Sequence, residues 1–172
     1  MKRPAGYGTI LLCALAVAAL GFAAVAAVSW WNASHDSSLD FARSRDAVAV
    51  AARQDIVVVN TLDYRNVDGG LRNWLAATTG TLHDQLSHVD PAARSQIQSA
   101  ETVTTGKVLA AAVSQLDDRA GTATVLATVE ITVTPAGGKA AVKRNRFSAT
   151  MTRLAGDDWK LSDLQQVPVS IS

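Results

Sequence analysis

The chain has 172 residues, which is enough for one domain and an anchor but short for two domains of ordinary size. Its 16 lysines and arginines nearly balance its 15 aspartates and glutamates, so it lacks the positive charge that would neutralise a nucleic-acid backbone. The composition argues against nucleic acid as a partner, and a hydrophobic fraction of 48% argues against a disordered chain.

An apolar run near the N-terminus predicts a single transmembrane helix. Every residue from 9 to 31 is apolar or small, and a helix of that length measures roughly 34 Å, enough to cross the hydrocarbon core of a bilayer. Lys2 and Arg3 precede the run and Asp36 follows it, so the positive-inside rule predicts a cytoplasmic N-terminus.

The end of this run carries two tryptophans, Trp30 and Trp31, which we expect at the outer membrane interface. The small residues Ala24-Val25-Ala26 also suit a cleaved signal peptide, but the length of the run favours an uncleaved anchor. Cys13 lies inside the run without a second cysteine, so the domain is expected to fold without disulfides.

The predicted organisation therefore has four parts in one single-pass protein of the plasma membrane. They are a cytoplasmic N-terminus (1–8), a transmembrane helix (9–31), a juxtamembrane linker (32–37) and an extracytoplasmic, or periplasmic, domain (38–172).

Helical periodicity dominates the first half of this domain. Apolar residues at helical spacing predict a first helix over 38–60, and turn chemistry follows at 66–70. A second amphipathic helix is predicted from Leu71 to Val89, with Gly80 ending or kinking it.

Asp90 and Pro91 read as an N-cap followed by proline at the first helical position. They predict a short third helix that ends near Ala100.

Strand periodicity dominates the second half. The clearest strand alternates alanine, valine and isoleucine from Ala123 to Val133 with a threonine-rich opposite face, broken only by Leu126. Glycine-containing turns separate it from its neighbours. The predicted strands run over 103–113, 123–133, 142–154 and 159–164.

Helices followed by a meander of antiparallel strands predict an α+β domain, with the helices covering one face of a curved sheet. Trp74 and Trp159 lie in phase with apolar neighbours and are predicted to anchor the core.

Three short segments follow the predicted span in chain order: Leu62-Asp63-Tyr64, Ala77-Thr78-Thr79-Gly80-Thr81-Leu82 and the terminal Trp159-Lys160-Leu161-Ser162-Asp163-Leu164. Together with the order of the predicted elements, these segments resemble the Mce-associated membrane proteins of actinobacterial envelopes. The resemblance implies an NTF2-like or cystatin-like domain, with about three helices on a curved four-stranded antiparallel sheet.

The resemblance also implies a role. Members of that family are associated with stabilising or assembling Mce complexes, which transport fatty acids or sterols. The expected partners are Mce proteins, their permease and membrane lipids.

No catalytic, cofactor-binding or metal-binding constellation is predicted. His83 and His88 are five residues apart and fall on different helix faces, unlike an i, i+4 zinc pair. Asp55 lies beside the apolar stripe of the first helix. Because it is also close to Arg53 in sequence, it is interpreted as a surface or rim carboxylate. Tyr64 is expected to pack its ring at the end of that helix.

The chain is therefore predicted to be a non-enzymatic accessory subunit that binds through an extended surface. The residues proposed for that surface are Gln85, His88, Lys143, Arg144 and Arg146. The alternatives are a membrane-anchored NTF2-like carrier or enzyme with a ligand in the cone between helices and sheet, and an envelope scaffold with a different partner.

Overall fold

The computed structural model of the protein describes residues 21–31 and 37–168. The predictions for residues 1–20 and 32–36, including Cys13 and most of the membrane span, lie outside the described residues. Residues 21–31 form a helical segment on which Trp30 and Trp31 are exposed. Within the described ranges, no helix combines the length and hydropathy that a membrane crossing requires.

The chain divides into two compact units, 1–40 and 41–172, and the second contains the sheet and most of the helices. A 3-10 helix, Tyr64–Asn66, lies between the first strand and the second helix. The helices are α1 (Ser37–Val59), α2 (Val67–Ala77), α3 (Gly80–Ser87) and α4 (Pro91–Ser99), and the strands are β1 (Leu62–Asp63), β2 (Thr102–Asp117), β3 (Thr122–Pro135), β4 (Ala141–Arg153) and β5 (Trp159–Gln166).

The five strands form one antiparallel sheet in the order β1-β2-β3-β4-β5. The predicted α+β class is confirmed, but the sheet has five strands instead of four. The strand that was missed, β1, pairs only Leu62 with Thr104 and Asp63 with Val103. Two residues are too few to produce a period-two pattern, so the sequence carried no signal for it.

The core lies between α1 and the inner face of the sheet. Val48, Ala52 and Ile56 recur every four residues on α1 and are fully buried. They pack with the inward residues of three strands, which are Ala123, Val125, Ala127, Val129, Ala149, Met151, Trp159 and Leu161. The alternation predicted for β3 is confirmed from Ala123 to Val129, and Trp159 is the core anchor that was predicted.

The predicted second helix is two helices, because the chain leaves the helical path for two residues. Thr78 forms a parallel bridge with Leu161 of β5, and the Thr79 N–H donates to the Leu161 carbonyl at 2.9 Å. Gly80 then begins α3 with φ +56°, a backbone angle that favours glycine. The threonine–glycine motif thus fastens the helices to the edge of the sheet.

The turn predicted at residues 66–70 is wrong, since α2 begins at Val67. The side chain of Asn66 accepts the Gly69 N–H at 3.1 Å and caps the helix. A Cβ on Gly69 would lie 2.5 Å from the Asn66 side chain, so a larger residue there would displace the side chain that caps the helix. Trp74, predicted as a core anchor, is half-buried and donates its indole N–H to the Thr61 carbonyl at 3.0 Å.

The predicted cap of the third helix is confirmed, because Asp90 Oδ1 accepts the Ala93 N–H at 2.6 Å and Pro91 opens α4.

Replacing Asp90 with alanine should lower the free energy of unfolding by about 1 kcal/mol, since the first turn of α4 loses its acceptor. Urea titration followed by circular dichroism measures this change. Asp84→Ala, at an exposed position of α3, is the control and should change stability by less than about 0.5 kcal/mol. Equal effects of the two substitutions would contradict the capping role.

Candidate functional site

A groove of about 590 Å³ lies between α1 and β2. Its apolar surface comes mainly from Val57, Val58 and Val108, and its charged residues, Arg53 and Lys107, are both cationic. Leu109, which is 43% exposed, stands at a β-bulge on the same stretch of β2. The groove therefore combines apolar walls with positive charge.

α1 and the connection that follows it contact this stretch of β2 at two points. At one end, a Cβ on Gly106 would lie 2.7 Å from the Cβ of Asn60, and the Gly106 N–H donates to Thr61 Oγ1 at 3.1 Å. At the other end, Arg53 Nη2 donates to the Ala111 carbonyl at 3.3 Å. A glycine within a strand often marks a close approach of another backbone, so Gly106 was a signal that the sequence interpretation missed.

A second groove, of about 470 Å³, lies between α1 and α2 and reaches β5. Asp55 and Lys160 line it together with Asn73 and Ala76. Asp55 is only 8% exposed, and its Oδ2 is buried without a hydrogen-bond partner among the described residues. The interpretation of Asp55 as a surface or rim carboxylate is therefore wrong.

Burial raises the pKa of Asp55 from 3.8 to about 6. The nearby Lys160 ammonium and a hydrogen bond from the Leu161 backbone lower it and so offset part of this effect, while Asp158 adds a smaller upward contribution. The carboxyl group thus titrates close to neutral pH inside the domain.

The outer face of the sheet carries the predicted threonine-rich surface and several cations. Arg144 lies opposite Glu130 in the β3–β4 register, and its Nε lies 3.1 Å from Glu130 Oε2. Arg146 shares this face, whereas Lys143 belongs to the other set of alternating β4 residues. All three predicted cations of β4 are exposed. A shallow cavity of about 340 Å³ beside Arg146 includes Leu126, which is half exposed.

The other predicted interface residues lie elsewhere on the domain. Gln85 is exposed on α3, which packs against β5, and His88 is exposed just after that helix. His88 Nδ1 lies 2.6 Å from the Asp84 carbonyl oxygen. Among the described residues, no hydrogen bond or ion pair joins these two residues to the cations of β4.

The remaining candidates for chemistry have structural partners. Arg65 Nη2 lies 2.7 Å from Asp63 Oδ2, and hydrogen bonds from Arg65 hold the pKa of the Asp63 carboxyl below its usual value. Tyr64 is half-buried with the Arg65 guanidinium 5.8 Å from its ring centre. His83 Nδ1 lies 3.1 Å from the Leu75 carbonyl oxygen. No group of three or more metal-ligating side chains occurs in the described part of the chain.

The same fold occurs in components of bacterial type IV secretion systems. An IcmL-like protein of Legionella pneumophila superposes with a TM-score of 0.59 and 14% identity over 74% of this chain and 95% of that one. The periplasmic domain of DotI gives 0.57 with 16% identity, over 71% and 94% of the two chains. VirB8 of Agrobacterium tumefaciens gives 0.52 with 10% identity, over 76% and 96%. The domain therefore shares the α+β fold of these proteins.

The sequence places the chain in a family. It belongs to the family described as "Uncharacterized protein Rv1363c/MT1408-like", whose model matches residues 7–168. A relative from Mycobacterium tuberculosis, "Uncharacterized protein Rv1363c", is 24% identical over 160 residues, which are 93% of this chain and 60% of the relative. The chain thus spans 60% of the length of that relative. Neither description mentions Mce systems, so the resemblance to Mce-associated proteins stays a prediction.

Proposed function

We propose that this protein is a non-enzymatic accessory subunit that helps to assemble or stabilise a transport complex in the cell envelope. The observation that carries the proposal is the similarity of its fold to the periplasmic domain of DotI and to VirB8. In this proposal the N-terminus is cytoplasmic, the N-terminal helix anchors the chain in the plasma membrane, and the domain acts on the extracytoplasmic side.

The packing of the domain also supports a role in binding other proteins over a role as a carrier. The space between α1 and the sheet is filled by fully buried side chains, among them Ile56, Val125, Met151 and Leu161. A carrier of the kind considered from the sequence would hold its apolar ligand in that space. The grooves described above lie beside this core, at the surface of the domain.

We further propose that the complex is of the Mce type and that Mce proteins and their permease are the partners. This step is supported by the motifs Leu62-Asp63-Tyr64 and Trp159-Lys160-Leu161, which resemble those of Mce-associated proteins. Their structural context fits a scaffold: Asp63 is held by Arg65, and Leu161 bridges to Thr78. These residues build the domain and leave its surface free to vary between partners.

Purification of the tagged full-length protein from its native membrane in mild detergent tests the proposal. We expect Mce proteins, the permease and the ATPase to be enriched at least about tenfold over a purification of an unrelated single-span protein with the same tag. Recovery of the protein without these subunits would contradict the Mce assignment.

A genetic experiment tests the accessory role itself. Deleting the gene should lower the levels of at least one Mce complex and the uptake of its lipid, because an assembly partner is missing. Plasmid-borne wild-type protein should restore both quantities. Unchanged levels and uptake for every Mce complex of the cell would overturn the proposal.

A further inference from the structure

The edge of β2 beside the groove is open for part of its length. β1 covers β2 only at Val103 and Thr104, and no other described strand pairs with that side of β2. Gly106 bonds to Thr61, just after α1, and Ala111 bonds to Arg53 of α1. Between these two points the edge faces the groove.

The direction of the backbone groups on this edge follows from the two contacts. The Gly106 N–H and the Ala111 carbonyl both point away from β3, because they bond to residues of α1 and of the connection after it. Val108 lies two residues after Gly106 and pairs with Val129 in the β2–β3 register. Alternation along a strand therefore directs the Val108 N–H and carbonyl outwards as well. The Gly106 N–H and the Ala111 carbonyl already bond to Thr61 and Arg53, so the Val108 groups are the ones that offer hydrogen bonds to an added strand.

The side chains around the open edge of β2 determine which kind of added strand fits there. Val57, Val58 and Val108 form an apolar surface in the groove, and Leu109 adds an exposed side chain at the bulge. The charged residues that line the groove, Arg53 and Lys107, are both positive. An extended segment with alternating apolar and acidic residues is complementary to this surface in shape, backbone hydrogen bonding and charge.

We propose that the α1–β2 groove binds an acidic, apolar segment of a partner protein, which adds to the free edge of β2 between Gly106 and Ala111. The proposal names the mode of partner binding within the proposed accessory function and rests on that function for the source of the segment. Backbone pairing would supply affinity, while the valines of the groove and the two cations would select the segment.

A defined peptide tests the site without knowledge of the partner. The probe is a fluorescent peptide of about six residues that alternates glutamate and valine, titrated with the full-length protein in detergent micelles and followed by anisotropy. We expect saturable binding below about 1 mM, and no binding of the matching lysine–valine peptide. N-methylation of the peptide backbone on the side that faces β2 should weaken binding at least about fivefold, because it removes inter-strand hydrogen bonds.

Protein variants locate the binding site. Val108→Pro removes an outward N–H without removing a hydrogen bond to β3, and Lys107→Glu reverses a charge at the groove. Each should weaken binding at least about fivefold. Lys139→Glu, an equal charge change at an exposed position between β3 and β4, is the matched control and should leave binding unchanged. If Val108→Pro fails to fold, the N-methylated peptide gives the same test on the unchanged protein.

Three results would overturn the proposal: no binding of the acidic peptide, binding insensitive to N-methylation, or an equal loss with Lys139→Glu. If the peptide binds as expected but the native purification contains no envelope transport subunits, the edge site is supported and the proposed function is rejected. The two proposals can therefore fail separately.

Discussion

Replacing Leu161 with alanine should lower the free energy of unfolding by about 3 kcal/mol or more. Leu161 is 0% exposed and belongs to the core between α1 and the sheet. Its truncation loses the transfer free energy of the buried side chain and leaves a cavity that neighbours such as Met151 and Ile56 only partly fill. The backbone of Leu161 also fastens β5 to Thr78 and Thr79, so relaxation around the cavity is restricted. Urea titration of the full-length protein in detergent micelles, followed by tryptophan fluorescence, measures the change.

Leu126→Ala is the matched control, since it removes the same atoms from the outer face of the sheet. Leu126 is 50% exposed, and its truncation should cost less than about 1 kcal/mol. A cost for Leu161→Ala as small as that for Leu126→Ala would show that the sheet packs on α1 differently from the structure described above.

The contrast between these two leucines also shows what a sequence can predict about this fold. The alternation in β3, broken only by Leu126, predicted one apolar face that includes Ala123 and Val129, and the residues of this face from 123 to 129 are buried while Leu126 is half exposed. Periodicity gave this result because each side of that strand meets one environment along its length. The same argument located α1 and α4 to within one residue at each end.

β2 shows why the same method fails on the neighbouring strand. Two irregularities in its register with β3, at Leu109 and Ser114, shift the phase of its side chains. Strict alternation over the predicted strand 103–113 would place Leu109 on the same face as Ala111, whereas Val108 lies opposite Val129 and packs against the core. A bulge depends on the pairing of two strands, and one strand's pattern does not contain it.

The grooves were less predictable than the fold, because they depend on the distance between elements that are far apart in sequence. The sequence places Asp55 beside the apolar stripe of α1, but the burial of its side chain depends on α2 and β5 lying against that helix. The surface proposed from charge alone, with Lys143, Arg144 and Arg146, consists of exposed side chains on β4 and has no tested role. Tertiary packing, which a periodicity does not encode, decides which charged residue becomes buried.

Asp55 should make the stability of the domain depend on pH between about 4 and 6. Its pKa is 3.8 in an unfolded chain and about 6 in the folded domain, so the folded state binds the proton more tightly in this range. The contribution to stability from this proton is fully present below pH 3.8 and is lost as the pH rises through 6. Above that pH the domain carries a buried carboxylate whose Oδ2 has no hydrogen-bond partner among the described residues.

Asp55→Asn removes this ionisation and should remove most of the pH dependence between pH 4 and 7. A pKa shift of this size corresponds to about 2–3 kcal/mol of free energy of unfolding. As the pH rises from 4 to 7, the variant should therefore become more stable relative to wild type by about that amount. The informative quantity is the difference between the two proteins in how the free energy of unfolding changes with pH. The asparagine amide changes the local hydrogen bonding equally at every pH, so it does not affect this difference. Urea titrations at a series of pH values measure it.

Asp46→Asn provides the control on the same helix. Asp46 is exposed on α1, so its substitution should leave the pH dependence of unfolding unchanged within about 0.5 kcal/mol. If Asp55→Asn retains the wild-type slope between pH 4 and 7, the carboxylate of Asp55 is solvated or paired in the folded protein. If Asp55→Asn alone loses the pH dependence of unfolding, the Asp55 carboxyl group binds its proton inside the groove between α1 and α2. In the topology proposed above, this proton links the packing of α2 and β5 on α1 to the pH outside the membrane.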